Sequence, residues 1–511
     1  MTTMRMHNSV CFLIYFTLFT CAINAQTFTP IKELENNGPN DRFGHSVSMT
    51  DKFAVVGSRF DDDKFPNSGA VYLYGKDVGG PNNWGLIKKL YQNDPEEDDN
   101  FGYSVSISDD LIIVGSPEDD DVFERTGSAY IFQKDEGGVN NWGQVAKLTA
   151  SNPNPWDFHG RSVSISNNYA VVGAEWGEIN DVNVGLAYVY EKDQGGLNQW
   201  GEVKMLFASD YAQWDDFGLS VSIDDDIVVV GSFEDDDDGD SSGSAYIFAK
   251  NEGGVNNWGE LKKLTASDAS ATDKFGSAVD VSGDNIIIGA EWDDPNETNS
   301  GSAYIFNRNN GGQDNWGEVK KIVALDGRFN AQFGNSVSIS DNALIVGAWM
   351  DKSQAGAAYI FKKDEGGMNN WGEVIKLEEY WFDEFFGNDV CIYNDIAIVG
   401  QPNNYDGADY SGAAYIYKEI FECDYMTLEE PGNLSPDIQF DNISAFHWIK
   451  LSGSMQANPL YYDLQFQAGE YIELNAGFES QLGLDAHYEI NQCDSSVLNN
   501  TLNKQDLTKF K

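Results

Sequence analysis

Positively charged residues are few in this sequence. Its 511 residues include 32 Lys and Arg against 82 Asp and Glu, which gives a formal net charge of −50 at pH 7. This balance excludes nucleic acids and anionic membrane surfaces as partners, because both attract basic proteins. Acidity also accompanies disorder, but 41% hydrophobic and 13% aromatic residues supply enough apolar surface for a folded core. The charge favours high solubility, a cation-rich environment or a basic partner.

Cysteine is equally scarce, with five residues in the chain. Cys11 and Cys21 belong to the N-terminal segment described next, which leaves Cys391, Cys423 and Cys493. These three form no CxxC pair and no zinc-type spacing. Cys391 lies in a strand pattern and is expected to be a buried thiol. The sequence leaves open whether Cys423 and Cys493 form a disulfide.

Long hydrophobic runs are missing as well, so no transmembrane helix is expected. The apolar run from Val10 to Cys21 is too short to span a bilayer. It follows Arg5 and precedes Ala25, a small residue suited to cleavage before Gln26. This order predicts a signal peptide over residues 1–25 and hence a secreted or cell-surface protein.

One phrase, an aromatic residue followed by glycine, recurs along the chain. Its glycines are 58 residues apart for five consecutive steps, and the last step is 53 residues. The seven copies are Phe43-Gly44, Phe101-Gly102, Phe158-His159-Gly160, Phe217-Gly218, Phe275-Gly276, Phe333-Gly334 and Phe386-Gly387. Such self-similarity at a near-constant period indicates a repeat architecture.

The fourth copy displays the anatomy of one repeat. Phe217 to Ile223 alternates like a half-buried strand, and Ile227 to Val230 is an uninterrupted β-branched run. Gly243 to Phe248 and Trp258 to Leu264 provide two more strands. Without any helical periodicity, four strands per copy predict an all-β fold. We therefore expect a seven-bladed β-propeller of four-stranded blades over residues 26–420.

The seventh copy is incomplete, because it stops at Gly412 to Lys418 without a fourth strand. Pro30 to Leu34 provides a spare strand just before the first copy. We predict that this N-terminal strand completes the seventh blade and removes an exposed sheet edge.

A tryptophan recurs at one position in six copies, and inter-blade packing explains it better than six-fold carbohydrate stacking. These residues are Trp84, Trp142, Trp200, Trp258, Trp316 and Trp371.

The repeated pattern FG-x-SV-x-I, IVVG, GSAYIF and W-GEVKKL resembles the FG-GAP repeats of integrin-α-type propellers, in the bacterial secreted subtype. The resemblance implies a seven-bladed extracellular domain for binding or adhesion. Calcium-binding members carry D-x-D-x-D-G between the first two strands. Here that hairpin is as short as Ser108-Asp109-Asp110, which cannot surround an ion that takes six to eight oxygens. The family's calcium site therefore does not carry over at this position.

Acidic runs lie instead between the second and third strands, as in Asp61 to Asp63 and Asp119 to Asp121. Together with the acidic loops before each FG pair, they predict one negative face. The closest approach to a calcium loop is Glu234-x-Asp236-x-Asp238-Gly239-Asp240, so Glu234, Asp236, Asp238 and Asp240 are the candidate calcium ligands. The alternative is a solvated acidic loop that keeps the protein soluble.

Two common catalytic patterns are absent, since the chain has neither HExxH nor a P-loop. His45 and His159 lie at different offsets within their copies. Carboxylate pairs are too abundant to indicate a glycosidase site. We therefore expect a protein without enzymatic activity.

Beyond the repeats, residues 421–494 are expected to form a small β-rich module, followed by a polar tail over residues 495–511. Gly469 to Phe478 alternates as a strand. The segment from Ala468 to Glu479 resembles a small β-rich stack near the ends of secreted Bacteroidota-type proteins, which implies export to the cell surface. An ordinary accessory β-domain is the alternative.

These observations predict a secreted or cell-surface binding protein, acting as a monomer, that presents an acidic propeller face to a protein or glycan. One alternative is a structural matrix component bridged by divalent cations. Another is a hydrolase of extracellular polymers.

Overall fold

The computed structural model describes most of the repeat region and short strands beyond it. The described residues are 26–35, 38–81, 83–196, 199–367, 370–378, 383–404 and 410–421, with strands between 426 and 490. The predicted signal peptide (1–25), Cys423, Cys493 and the polar tail (495–511) lie outside them. The domain boundaries stay predictions.

Seven antiparallel sheets of four strands form the blades of the propeller, which confirms the predicted fold. The first strands are β2 (Phe43–Met49), β6 (Ser104–Ser108), β10 (Val163–Ser166), β16 (Phe217–Asp224), β20 (Phe275–Ser282), β24 (Val337–Ser340) and β28 (Val390–Tyr393). The second strands are β3 (Phe53–Ser58), β7 (Leu111–Ser116), β11 (Tyr169–Ala174), β17 (Ile227–Ser232), β21 (Asn285–Ala290), β25 (Ala343–Ala348) and β29 (Ile396–Gln401).

The outer two strands of each blade follow the same order. The third strands are β4 (Ala70–Lys76), β8 (Ser128–Lys134), β14 (Leu186–Lys192), β18 (Ser244–Ala249), β22 (Ser302–Asn307), β26 (Ala357–Lys363) and β30 (Ala413–Phe421). The fourth strands are β5 (Trp84–Leu90), β9 (Trp142–Leu148), β15 (Trp200–Leu206), β19 (Gly259–Leu264), β23 (Gly317–Ile322), β27 (Trp371–Glu378) and, in blade seven, β1 (Gln26–Glu35). The first strands contact one another around the axis, and β28 contacts β2.

The N-terminal strand completes the seventh blade, as predicted. β1 pairs with β30, and blade seven has the order β1-β30-β29-β28. Phe43 bridges to Gly412 across this junction, as the equivalent residues do between other blades. Gly44 has a φ of +86°, and a Cβ atom there would lie 2.1 Å from the Ala413 carbonyl oxygen. The glycine of the repeated phrase is therefore required by the close approach of neighbouring blades.

The core lies between the blades. Second strands such as β7 and β17 are buried along their whole length, which explains their β-branched runs. Five of the repeated tryptophans are fully buried, and Trp200 is half-buried. Trp142 of blade two packs edge-on against Phe53 of blade one, with ring centroids 5.3 Å apart. The prediction that these tryptophans pack between blades is confirmed.

The serines of the first strands join each blade to the next. Ser46 Oγ donates to the Gly102 carbonyl (2.9 Å), and the Ile107 N–H donates to Ser48 Oγ (3.2 Å). Equivalent bonds recur between later blades. In blade seven Asp389 replaces the first serine, and its carboxylate accepts the Val47 N–H at 2.7 Å. This bond ties the last blade to the first.

Blade three departs most from the repeat. A short hairpin of β12 (Glu178–Ile179) and β13 (Val182–Asn183) forms within the loop after β11. His159 occupies the position of the repeated phenylalanine and is fully buried. Its Nε2 lies 2.9 Å from Tyr190 Oη, whereas its Nδ1 is buried without a hydrogen-bond partner. Burial lowers the pKa of His159 to about 3, so the ring is neutral.

Helix is almost absent from the described residues. One turn, α1 (Asp351–Gln354), lies between β25 and β26, with left-handed dihedral angles at Lys352 and Ser353. Among the described residues, no helix is long and apolar enough to cross a membrane. Cys391 in β28 is a partly buried free thiol, and burial raises its pKa to about 12.

Residues after 421 contribute six short strands, described by themselves. They are β31 (Met426–Leu428), β32 (Ile443–Ala445), β33 (Trp448–Leu451), β34 (Gln465–Ala468), β35 (Tyr471–Leu474) and β36 (His487–Ile490). They pair in parallel as β31-β33-β35 and β32-β34-β36. The resemblance of this region to a β-rich stack stays a prediction.

Replacement of Leu34 by alanine should destabilise the closed ring. Leu34 is 1% exposed and packs with Phe43, Val47 and Ile416 of blades one and seven. We expect a loss of about 2–5 kcal/mol in the free energy of unfolding, measured in urea. The exposed neighbour Glu35 is the control, and Glu35→Ala should change stability by less than about 0.5 kcal/mol. Equal effects of the two substitutions would contradict the closure role of β1.

Replacement of His159 by phenylalanine should change the pH dependence of stability. The unfolded histidine takes up a proton below about pH 6.5, whereas the folded one does so only near pH 3. As the pH is lowered between these two values, the free energy of unfolding of the wild type should therefore fall by roughly 1.4 kcal/mol per pH unit relative to that of His159→Phe. Urea unfolding at several pH values measures the difference. A difference that is independent of pH would refute the buried neutral histidine.

Candidate functional site

The loops that join second to third strands, and fourth strands to the next blade, emerge on one face of the propeller. We call this the loop face. The Phe60 N–H donates to the Asp41 carbonyl (3.2 Å), so the two kinds of loop contact each other there. The acidic runs identified in the sequence belong to these loops.

The first aspartate of each acidic run is buried and forms an ion pair with a lysine of the fourth strand. The pairs are Asp61–Lys89 (2.5 Å), Asp119–Lys147 (2.9 Å), Asp235–Lys263 (2.9 Å), Asp293–Lys321 (2.5 Å) and Asp351–Lys376 (2.7 Å). In blade four Tyr246 also donates its hydroxyl to Asp235 at 2.8 Å. We call this arrangement the lysine clasp.

Each clasp after the first also reaches the preceding blade. Lys263 pairs with Asp210, which follows the fourth strand of blade three, at 2.9 Å. Burial alone lowers the pKa of Lys263, but hydrogen bonds to Asp237, Asp210 and Asp235 outweigh this effect and the pKa is raised. The ammonium group is thus the cation around which these carboxylates gather.

Blades three and seven show that the clasp is one unit. In blade three Gly177 and Met205 occupy the aspartate and lysine positions, so both charges are lost together. The remaining Tyr188 hydroxyl is buried without a hydrogen-bond partner. In blade seven Asn404 replaces the aspartate and donates to the Tyr415 hydroxyl at 3.0 Å.

The predicted calcium ligands do not converge in the structure. Glu234 pairs with Lys274 at 2.5 Å, while Asp236, Asp238 and Asp240 are exposed. Among the described residues no group of three or more His, Cys, Asp or Glu side chains is arranged to hold a metal ion. The intervening carboxylates Asp235 and Asp237 turn towards Lys263. Calcium binding by this loop stays a prediction that nothing in this arrangement tests.

A second set of residues, which no sequence motif marks, surrounds the axis on the loop face. We define the axial rim as four positions per blade. Two directly follow the second strand: Arg59, Pro117, Glu175, Phe233, Glu291, Trp349 and Pro402, and then Phe60, Glu118, Trp176, Glu234, Trp292, Met350 and Asn403. Two flank the aromatic–Gly pair: Arg42, Asn100, Phe158, Asp216, Lys274, Gln332 and Phe385, and then His45, Tyr103, Arg161, Leu219, Ser277, Asn335 and Asn388.

The rim is basic and aromatic over blades one to three. Arg59 and Arg161 stack on the Tyr103 ring, with 5.2 and 4.7 Å from guanidinium carbon to ring centroid. His45 stacks beside the same ring, at 4.8 Å between centroids. Burial lowers the pKa of His45 well below its ordinary value, and the neighbouring Arg59 guanidinium lowers it further, so His45 is neutral.

Acidic groups follow on blades three to five. Glu175 pairs with Arg161 at 3.3 Å, and burial raises the pKa of Glu175. Burial also raises the pKa values of Asp216 and Glu291 to about 7. Lys274 lies 4.4 Å from the ring centroids of both Phe233 and Trp292. The rim thus carries both signs of charge on an otherwise acidic face.

Comparison with protein families identifies the repeat. A family model described as FG-GAP repeat matches seven times, over residues 35–74, 84–132, 142–190, 200–248, 258–306, 316–361 and 371–417. The chain belongs to the FG-GAP repeat family. Most matches begin at the fourth strand of one blade and end in the third strand of the next. No curated protein matches the sequence significantly.

Within these FG-GAP repeats the rim positions contrast with their surroundings. The strands, the glycines and most lysine clasps repeat from blade to blade, whereas each rim position holds residues of different charge and size. The position before the aromatic–Gly pair has φ between 51° and 59° in all seven blades, and only Asn100 and Asp216 are residues that favour this conformation. The FG-GAP framework therefore tolerates many side chains at the rim and requires none of them.

Removing one partner of an FG-GAP lysine clasp should be costly. Lys263→Met leaves Asp235 buried without its cation, and we expect a loss of about 3 kcal/mol in the free energy of unfolding. The double variant Asp235→Asn with Lys263→Met combines the asparagine of blade seven with the methionine of blade three and should regain at least half of this loss. Chemical denaturation of both variants measures the two values. A double variant less stable than Lys263→Met would contradict the clasp as a coupled unit.

Proposed function

We propose that this FG-GAP propeller is a secreted or cell-surface binding protein without catalytic activity, which holds an extracellular protein or glycan at the axial rim of its loop face. The observation that carries the proposal is the contrast between a repeated framework and a varied rim. A structural scaffold with no ligand would have no use for charged and aromatic side chains in left-handed conformations, which cost of order 1 kcal/mol each.

Exposed aromatic side chains on the loop face support the proposal. Trp156 and Trp176 of blade three are 38% and 39% exposed, and Trp214 before blade four is 55% exposed. Large aromatic residues and arginines supply most of the binding energy at typical recognition sites. Their concentration around blade three points to this side of the rim as the centre of binding.

Matrix bridging by divalent cations is the second candidate. Asp236, Asp238 and Asp240 are exposed and take no part in the lysine clasp. Carboxylates of this kind on neighbouring molecules suit calcium, which takes six to eight oxygen ligands.

A combined protein and glycan array, probed with the full-length protein, tests the proposal. We expect binding to at least one component and a tenfold or greater loss of affinity on Trp156→Ala, because this side chain lies within the proposed contact. Tyr393→Ala is the matched control, since Tyr393 is also 38% exposed but lies at the opposite end of the first strand. Affinities of the captured ligand are measured by titration.

Two outcomes would count against binding at the rim. One is the absence of any captured ligand, and the other is equal affinity of the Trp156→Ala and Tyr393→Ala variants for the ligand. Association that EDTA abolishes and Trp156→Ala leaves intact would favour divalent bridging instead.

A further inference from the structure

The basic part of the axial rim holds a guanidinium group with one donor that has no acceptor among the described residues. Arg59 Nε is buried and has no hydrogen-bond partner. Its guanidinium also forms no ion pair with any residue that the structure describes, in contrast to Arg161, which pairs with Glu175. A buried, unsatisfied donor costs about 1–3 kcal/mol, and more when it is charged. Such a donor indicates that its acceptor comes from outside the chain.

Arg59 is also held in a fixed position. Its guanidinium carbon lies 4.4 Å from the centroid of the Phe60 ring and 5.2 Å from that of Tyr103. Arg161 stacks on Tyr103 as well, so two guanidiniums share one ring. Because their mutual repulsion is relieved by an anion between or beside them, this geometry is preorganised for a negative group.

The other blades show that the fold does not need this arginine. The equivalent residues are proline, glutamate, phenylalanine or tryptophan, and none is basic: Pro117, Glu175, Phe233, Glu291, Trp349 and Pro402. The position next to the ring closure, Arg42, keeps a long side chain at a φ of 56° and stacks on Tyr410 at 5.0 Å. Blade one therefore differs from the other blades in carrying two arginines at the rim, Arg42 and Arg59.

An aromatic surface begins directly beside the basic cluster, by which we mean Arg42, Arg59 and Arg161. Trp176 follows Glu175 in sequence and stacks edge-on against Phe158, with centroids 5.1 Å apart. Phe158 in turn contacts Trp156 at 6.2 Å. Since both tryptophans are partly exposed, they offer apolar faces to a ligand whose anionic group reaches Arg59.

We infer that the basic cluster binds one carboxylate of a glycan, with Arg59 as its principal donor and with neutral sugar rings packed against Trp176 and Trp156. This inference rests on the proposed function and names its ligand class. The surrounding acidic loops would repel a polyanion, so the ligand carries an isolated negative charge on a neutral body. Flat indole faces suit the C–H faces of pyranose rings, which favours a glycan over an acidic peptide.

An oligosaccharide that ends in a single glucuronate, compared with its methyl ester, tests the inference on the full-length protein. We expect at least tenfold tighter binding of the free acid, and weaker binding as the salt concentration rises. Arg59→Gln should abolish the preference for the acid. Arg59→Lys should reduce it, because lysine keeps the charge but lacks the planar guanidinium that can donate two parallel hydrogen bonds to a carboxylate. Arg308→Gln is the control, because Arg308 is a partly exposed arginine in the hairpin after β22, paired with Asp314.

Equal affinity for acid and ester, or a preference that survives Arg59→Gln, would overturn the inference. If Trp156→Ala still weakened binding in that case, binding at the rim would stand and only the carboxylate site at Arg59 would be rejected. Preferential binding of an acidic peptide would overturn the glycan assignment and indicate a protein ligand. If Arg59→Gln failed to fold, the Arg59→Lys variant would decide, since unchanged acid preference there would also contradict the inference.

Discussion

The ring depends on one steric constraint, the approach of neighbouring blades to a distance that admits no side chain. Gly44 faces the Ala413 carbonyl, and Gly57 faces the Gly102 carbonyl, where a Cβ atom would lie 2.2 Å away. Each approach aligns backbone groups for the bridge between an aromatic residue and the glycine of the preceding blade. The buried tryptophans and the serine bonds can form only once this distance is reached. Because every blade meets the same constraint, it accounts both for the repeat of the aromatic–Gly pair in the sequence and for the ring of blades.

Charge has two separate roles in this propeller. At the periphery of the loop face, the lysine clasps gather several carboxylates around one ammonium, as Lys263 does with Asp210, Asp235 and Asp237. A large net negative charge is thereby compatible with tight packing between blades, since the buried carboxylates of the clasps are paired with lysines. At the axis the arrangement differs, because Arg59 and Arg161 stack on Tyr103 and, of these two, only Arg161 forms an ion pair with a described residue. An acidic protein thus retains a small basic site that its own field would shield from polyanions.

Sequence reasoning predicted the architecture because its determinants repeat. The aromatic–Gly period indicated seven blades, and the missing fourth strand of copy seven indicated closure by β1. The clasps were not predicted, since Asp235 and Lys263 are 28 residues apart and Asp210 belongs to another blade. The rim positions could have been found from the sequence, because an alignment of the seven copies shows that the residues flanking each aromatic–Gly pair vary. That Arg59 and Arg161 meet on Tyr103 depends on ring geometry, which no single copy contains.

The pairing of β1 with β30 has a consequence for how the ring is assembled. The two strands are separated by almost the whole propeller, so their contact has the largest sequence separation in the fold and carries the highest loop-closure entropy. Six blades can form locally as the chain emerges, but the seventh needs β1, made first, to pair with β30, made last. Until then both ends of the array expose unpaired edges, which are the surfaces most prone to association with other chains. The step that completes the molecule is therefore also the one in which it is most vulnerable.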